Sequence, residues 1–170
     1  MNETFWGLSG VDWALLGGGM AAVLGGVGSS IGITAAVGPI SGIVSEDSEK
    51  FGKLLPIAAM PGTQGIYCFI SAVLVLILFK LMGGTDAAAF QMAGPVGFKV
   101  FLACQPVGWL CCISGVYQGL TGAAAAGIVA ARSEDSGKAL IFPALVETYA
   151  VLSLIVTILM MLALTGAYVK

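Results

Sequence analysis

The chain has 170 residues, of which 58% are hydrophobic and only 9% charged, with a net charge of -2. A soluble domain carries roughly 25% charged residues, so this chain has too few to cover a water-facing surface, and its apolarity excludes disorder. The acidic balance excludes nucleic-acid binding through a basic surface, and the absence of His removes the commonest metal ligand and general base. What remains is an integral membrane protein. It is helical, because the apolar runs far exceed the ~10-residue strands of a membrane barrel.

The N-terminal stretch MNETFWGLSGVDWALL has no basic region and carries Glu3 and Asp12. The hydrophobic run behind it is too long for the core of a signal peptide, so it is expected to be a retained first span. Polar punctuation then divides the chain into four apolar segments. The first runs from about Val11 to Val44 and ends at SEDSEKFGK; the second runs from about Leu54 to Met82 and ends at GGTDAAAF. The third runs from about Gly94 to Ala131 and ends at RSEDSGK; the fourth runs from about Ala139 to Val169. Each exceeds the ~20 residues that cross a bilayer. Cys68, Cys104, Cys111 and Cys112 all lie inside apolar stretches without a CxxC pair, and read as small packing residues rather than metal ligands.

The segments repeat. SEDS occurs at Ser45–Ser48 and again at Ser133–Ser136, 88 residues on, and AAVG at Ala35–Gly38 is echoed by AAAG at Ala124–Gly127. PGTQGIYCF from Pro61 lines up with VETYAVLSL from Val146 if three residues near Phe51–Lys53 are an insertion. The chain therefore reads as an all-α transmembrane fold of four helices in two tandem hairpins, residues 1–88 and 89–170. The second hairpin holds the one carboxylate deep in the membrane. Small residues recur every fourth position at Gly17, Ala21, Gly25 and Ser29, and at Gly115, Gly119, Ala123, Gly127 and Ala131. Such rows let helix backbones approach closely in lipid. The first and third helices are thus expected at a crowded centre, and the bulkier second and fourth outside.

Ionisable residues inside a membrane are costly and mark function. Most charges here lie in turns, but Glu147 stands 14 residues after Ser133, roughly 21 Å along a helix. Met60, Thr63, Gln64 and Tyr67 fall at i, i+3, i+4 and i+7 on one face of the second helix. Pro61 leaves the Ile57 carbonyl without its helical partner. Thr63 lies 18 residues after Ser45, and Gln118 lies 15 before Ser133. Three segments thus bring a carboxylate, a hydroxyl and two amide oxygens to nearly one depth. An all-oxygen site with one negative charge suits a small monovalent cation, Na+ before H+, since a proton needs only the carboxyl and an acceptor.

On the stretches LLPIAAMPGTQGIY, GVYQGLTGAAAAG and PALVETYA, the sequence resembles the membrane rotor subunit of V-type (A/V-type) ATPases. This is the duplicated proteolipid called subunit K or c, in its sodium-binding bacterial form. The resemblance covers nearly the whole chain. It implies that Glu147 carries the ion and that Thr63, Gln64 and Gln118 supply side-chain ligands. Met60, where the family commonly has Leu, would supply a backbone carbonyl, and Tyr67 would hydrogen-bond the carboxylate and close the site. It further implies a homo-oligomeric ring in the cell membrane, turning with central stalk subunits against a stator subunit of the a/I type, without bond chemistry of its own. Gly62 aligns with Glu147 in the first repeat, so one site serves four helices. Each ion moved against 100 mV costs ~2.3 kcal/mol, and fewer ions per turn favour a pump. The rival reading is a small four-helix secondary transporter or channel using Glu147. Transporter repeats are often inverted, whereas these are parallel. Both termini are expected outside and both SEDS turns inside, with Lys50, Lys53, Arg132 and Lys138 against Lys80, Lys99 and Lys170.

Overall fold

A computed structural model describes residues 4–82 and 92–169. Four helices long and apolar enough to cross a membrane run over Gly10–Glu46, Ser48–Leu78, Gly94–Ala131 and Ser133–Tyr168. They fall on the four expected segments. The link GGTDAAAF, with the expected boundary between residues 88 and 89, lies outside the described residues, as do Glu3 and Lys170.

Helix α1 (Gly10–Glu46) starts where Ser9 caps it. The Ser9 hydroxyl accepts from the Asp12 amide at 3.2 Å and the Asp12 carboxylate accepts from the Ser9 amide at 3.0 Å, a reciprocal cap of about 1 kcal/mol. The second span divides into α2 (Phe51–Ala59) and α3 (Thr63–Leu78) around a tighter 3-10 turn at Met60–Gly62. The cause is Pro61, which has no N–H to give the Ile57 carbonyl. Helix α4 (Gly94–Ala131) forms the third span, and short α5 (Ser136–Ala139) with α6 (Ile141–Tyr168) the fourth.

As expected, the small-residue helices α1 and α4 make the most extensive helix pair, with α3 and α6 flanking them. Gly28 abuts the backbone of Cys112, and Gly32 that of Gly115; a Cβ on Gly119 would lie 2.5 Å from the Gly32 Cα. Only glycine permits that approach. The fourth-position row does not stay in the seam throughout. Four residues advance 400°, so the row drifts by about 40° per step, and Gly127 and Ala131 emerge exposed. In the first row, Gly17 faces Phe101 of α4, while Gly25 and Ser29 face Cys68 and Gly65 of α3. Cys68, Cys104 and Cys111 are buried packing residues. The outer helices present Ile66, Phe69, Leu152 and Leu159 outward.

The repeat has a different register from the SEDS match. Asp47 ends α1 with φ -144°, ψ 95°, and Arg132, 85 residues later, ends α4 with φ -142°, ψ 92°. A 3-10 turn follows each, at Ser48–Lys50 and Ser133–Asp135. SEK-FGK thus superposes on SED-SGK with no insertion, and the first SEDS lies partly in the last turn of α1. The two turns are tied together: Lys50 Nζ donates to the Ala130 carbonyl at 2.9 Å and Lys53 Nζ to Ser133 Oγ at 3.0 Å. A cation on the last carbonyls of α4 is favoured by the helix dipole. At the opposite end, Trp13 packs edge-on against Phe98 at 5.0 Å, and Lys99 Nζ donates to Tyr168 Oη at 2.8 Å. Aromatic and basic side chains of this kind anchor a membrane–water interface.

Two apolar clusters fill the bundle. One, toward the polar turns, includes Leu54, Ile57, Ala36 and Val129; the other includes Cys68, Val75, Val107 and Cys111. Along α3 and α4, Gln64 and Gln118 fall between them.

Candidate functional site

The six residues singled out by sequence lie on α3, α4, α6 and the 3-10 turn, and hydrogen bonds join them in two groups, Met60 with Thr63, Gln64 and Gln118, and Tyr67 with Glu147. Gln64 and Gln118 are fully buried, yet both amides are partnered. Gln64 Nε2 donates to Gln118 Oε1, and Gln118 Nε2 donates to the Pro143 carbonyl at 3.1 Å. Thr63 Oγ1 donates to the Met60 carbonyl at 2.8 Å and lies 3.4 Å from Gln64 Oε1. Tyr67 Oη donates to Glu147 Oε1 at 2.7 Å.

Local sequence explains the placement. The Pro61 break lets the Met60 carbonyl turn toward Thr63, and the i, i+4 step from Thr63 to Tyr67 keeps hydroxyl and phenol on one face. Glu147 follows Pro143 by one helical turn, so the carbonyl that receives Gln118 is on the turn that carries the carboxylate. The result is a graded candidate site. The two glutamines form its buried floor, Thr63 and Met60 its side, and half-buried Glu147 its outer edge. Glu147 also lines an open surface groove of about 360 Å³ with Ala144, Thr148, Val151 and Leu152.

Two participants carry no signal in the sequence. The Pro143 carbonyl is backbone, so no side-chain pattern marks it. Ser29 Oγ accepts from the Gly65 amide at 2.8 Å, pinning α3 to α1 one residue beyond Gln64; its place in the small-residue row disguises it as packing. At the position equivalent to Glu147, a Cβ on Gly62 would touch only Ile33 Cδ1, at 3.6 Å.

Chemically, the cluster gathers one carboxylate and several neutral oxygens in an apolar surround. There a lone ionised group is costly and a compensated one is not. Comparison with known proteins agrees with this architecture. The family model for the C subunit of ATP synthase matches twice, over residues 16–75 and 101–160. The chain belongs to the ATP synthase C-subunit family. The two matches are offset by 85 residues, the register set by the Asp47 and Arg132 dihedrals. The chain is 33% identical over 153 residues to the V-type sodium ATPase subunit K of Enterococcus hirae, covering 90% of this chain and 92% of that protein. It is 36% identical over 149 residues to the A-type ATP synthase subunit K of Methanocaldococcus jannaschii, covering 86% of this chain and 60% of that protein. This member of the C-subunit family is a multi-pass membrane protein of duplicated hairpins, related to the K subunits of V- and A-type ATPases.

Proposed function

We propose that this chain is the ion-carrying rotor subunit of a rotary V- or A-type ATPase, and that its cargo is Na+. The observation that carries this reading is the hydrogen-bonded group of Thr63, Gln64 and Gln118, one helical turn along α3 from the Tyr67 that holds Glu147. Glu147 supplies the single balancing charge. Thr63, Gln64, Gln118 and the Met60 carbonyl supply oxygens in place of water, and Tyr67 orients the carboxylate and closes the site. A neutralised site crosses lipid at little cost, whereas an empty ionised one is penalised there, so ions do not slip past unbound. The relative named as a sodium ATPase subunit supports the choice of Na+. A proton would use Glu147 and Tyr67 and leave the buried glutamine pair without a task.

In this reading identical subunits form a ring, each contributing two hairpins, 1–88 and 89–170. The partners are the lipid bilayer, a stator subunit of the a/I type, which receives ions at the exposed edge of Glu147, and the central stalk. The rotor itself makes and breaks no bonds. One carboxylate per four helices favours pumping over synthesis. The polar turns face the cytoplasm and both termini face outward. Ser48→Cys should therefore resist impermeant thiol reagents added outside intact cells, and labelling there would reverse the orientation.

Carbodiimide labelling tests the ion. The reagent attacks a protonated carboxyl, so it should modify Glu147 first, and Na+ at fixed pH should protect it by displacing the proton. Labelling of Glu147 indifferent to Na+ would assign the site to protons instead.

A further inference from the structure

Helix α3 begins without a cap of its own. The turn Met60–Gly62 has 3-10 pairing, and α-helical pairing resumes with Thr63 as its first residue. Gly65, third in α3, is therefore among the amides that an α-helix leaves without an acceptor of its own. The residue in the capping position, Gly62, has no side chain to offer, and no side-chain cap is made. Ser29 of α1 serves instead. Its hydroxyl, 7% exposed, accepts from the Gly65 amide at 2.8 Å. A capping serine makes this bond to the third residue of its own helix; here another helix supplies it. The amide belongs to the peptide unit that joins Gly65 to Gln64, so holding it fixes the turn that carries Thr63 and Gln64.

The second half of the chain shows the same serine without such an amide. In the 85-residue register Ser114 stands for Ser29 and Ala150 for Gly65. Ala150 lies well inside α6, where the helix's own ladder takes up its amide. Ser114 Oγ is buried with no hydrogen-bond partner among the described residues. The methyl group matters as well: a Cβ on Gly65 would stand 3.1 Å from Ser29 Oγ, crowding the approach that glycine leaves open. The hydroxyl is thus engaged on the helix that carries Thr63 and Gln64, and its counterpart is idle beside the helix that carries Glu147.

We infer that Ser29 is a positioning residue of the cation site, capping α3 from α1 so that Thr63 and Gln64 are set before the cation arrives. It acts through the Gly65 amide and touches no ion. Ligands already held in place bind with less loss of freedom, and they favour one ion size, because fitting another means moving a turn that is tied down. The cap therefore bears on Na+ affinity and on the preference for Na+ over the smaller Li+. This role rests on the sodium reading of the site.

Equilibrium binding of Na+ and of Li+ to the purified full chain tests it, in wild type beside Ser29→Ala, Ser114→Ala and Gly65→Ala. Ser29→Ala should weaken Na+ binding by about three- to tenfold, the size of a lost cap, and should lower the ratio of Na+ to Li+ affinity. A loss of stability alone would leave that ratio at its wild-type value. Ser114→Ala removes the equivalent but unpartnered hydroxyl, so both affinities should stay as in wild type. Gly65→Ala should reproduce Ser29→Ala by pushing the hydroxyl off the amide. The two changes combined should lose little more than either alone, since both break one bond. A wild-type ratio in Ser29→Ala would overturn the inference, as would equal losses in Ser114→Ala or additive losses in the combined variant. A wild type that binds no Na+ would overturn the sodium reading along with it.

Discussion

Tyr67 and Glu147, 80 residues apart in sequence, are joined by a 2.7 Å hydrogen bond from phenol to carboxylate. It links the glutamine-bearing helix α3 to the carboxylate-bearing helix α6 at the outer edge of the site. A hydrogen bond to a charged group contributes about 1.5–3 kcal/mol. Tyr67→Phe should therefore weaken Na+ retention by roughly ten- to hundredfold, with the faster release visible in isotope exchange. Unaltered exchange would reduce Tyr67 to packing.

Gln64→Leu removes both the proposed ion-binding oxygen and the donor to Gln118 Oε1. Direct binding measurements should show lower Na+ affinity in an assembled protein. Because a buried acceptor is left without a partner, the variant should also lose about 1–3 kcal/mol of stability, read as a lower thermal midpoint in Na+-free buffer. Wild-type affinity in Gln64→Leu would show that the residue only packs.

Glycines in and out of the α1–α4 seam should behave oppositely. A methyl at Gly119 collides with the Gly32 backbone, whereas one at Gly127 meets open space. Gly119→Ala should destabilise by about 1–3 kcal/mol through overpacking, and Gly119→Leu should disperse the assembly. Gly127→Ala should be neutral or better, since Ala is favoured over Gly in a helix by up to ~1 kcal/mol. Thermal unfolding in detergent orders the three variants, and equal effects at 119 and 127 would contradict the seam.

Much of this is legible in the residues, for identifiable reasons. Apolar runs between charged turns locate the spans because lipid tolerates few charges. Thr63, Gln64, Tyr67, Gln118 and Glu147 stand out because polar groups at one depth in several helices have few other uses. The SEDS match misplaces the repeat register because Ser, Glu and Asp recur in any exposed turn. A four-letter identity there outweighs the backbone register, which has SEK opposite SED. The small-residue rows are legible as seams, but not where they leave the seam, since a four-residue step drifts around the helix until Gly127 is exposed. The Pro143 carbonyl is invisible because backbone acceptors have no residue code.

Equilibrium binding of radioactive Na+ to the purified assembly, wild type beside Glu147→Gln, tests the central claim most directly. In the proposed reading Glu147 carries the one charge that balances the ion, and an amide of the same shape preserves packing while removing that charge. Saturable binding of one Na+ per chain in the wild type, and its loss in a Glu147→Gln protein of unchanged assembly mass, is the expected result. Saturable Na+ binding that persists in Glu147→Gln would contradict the account.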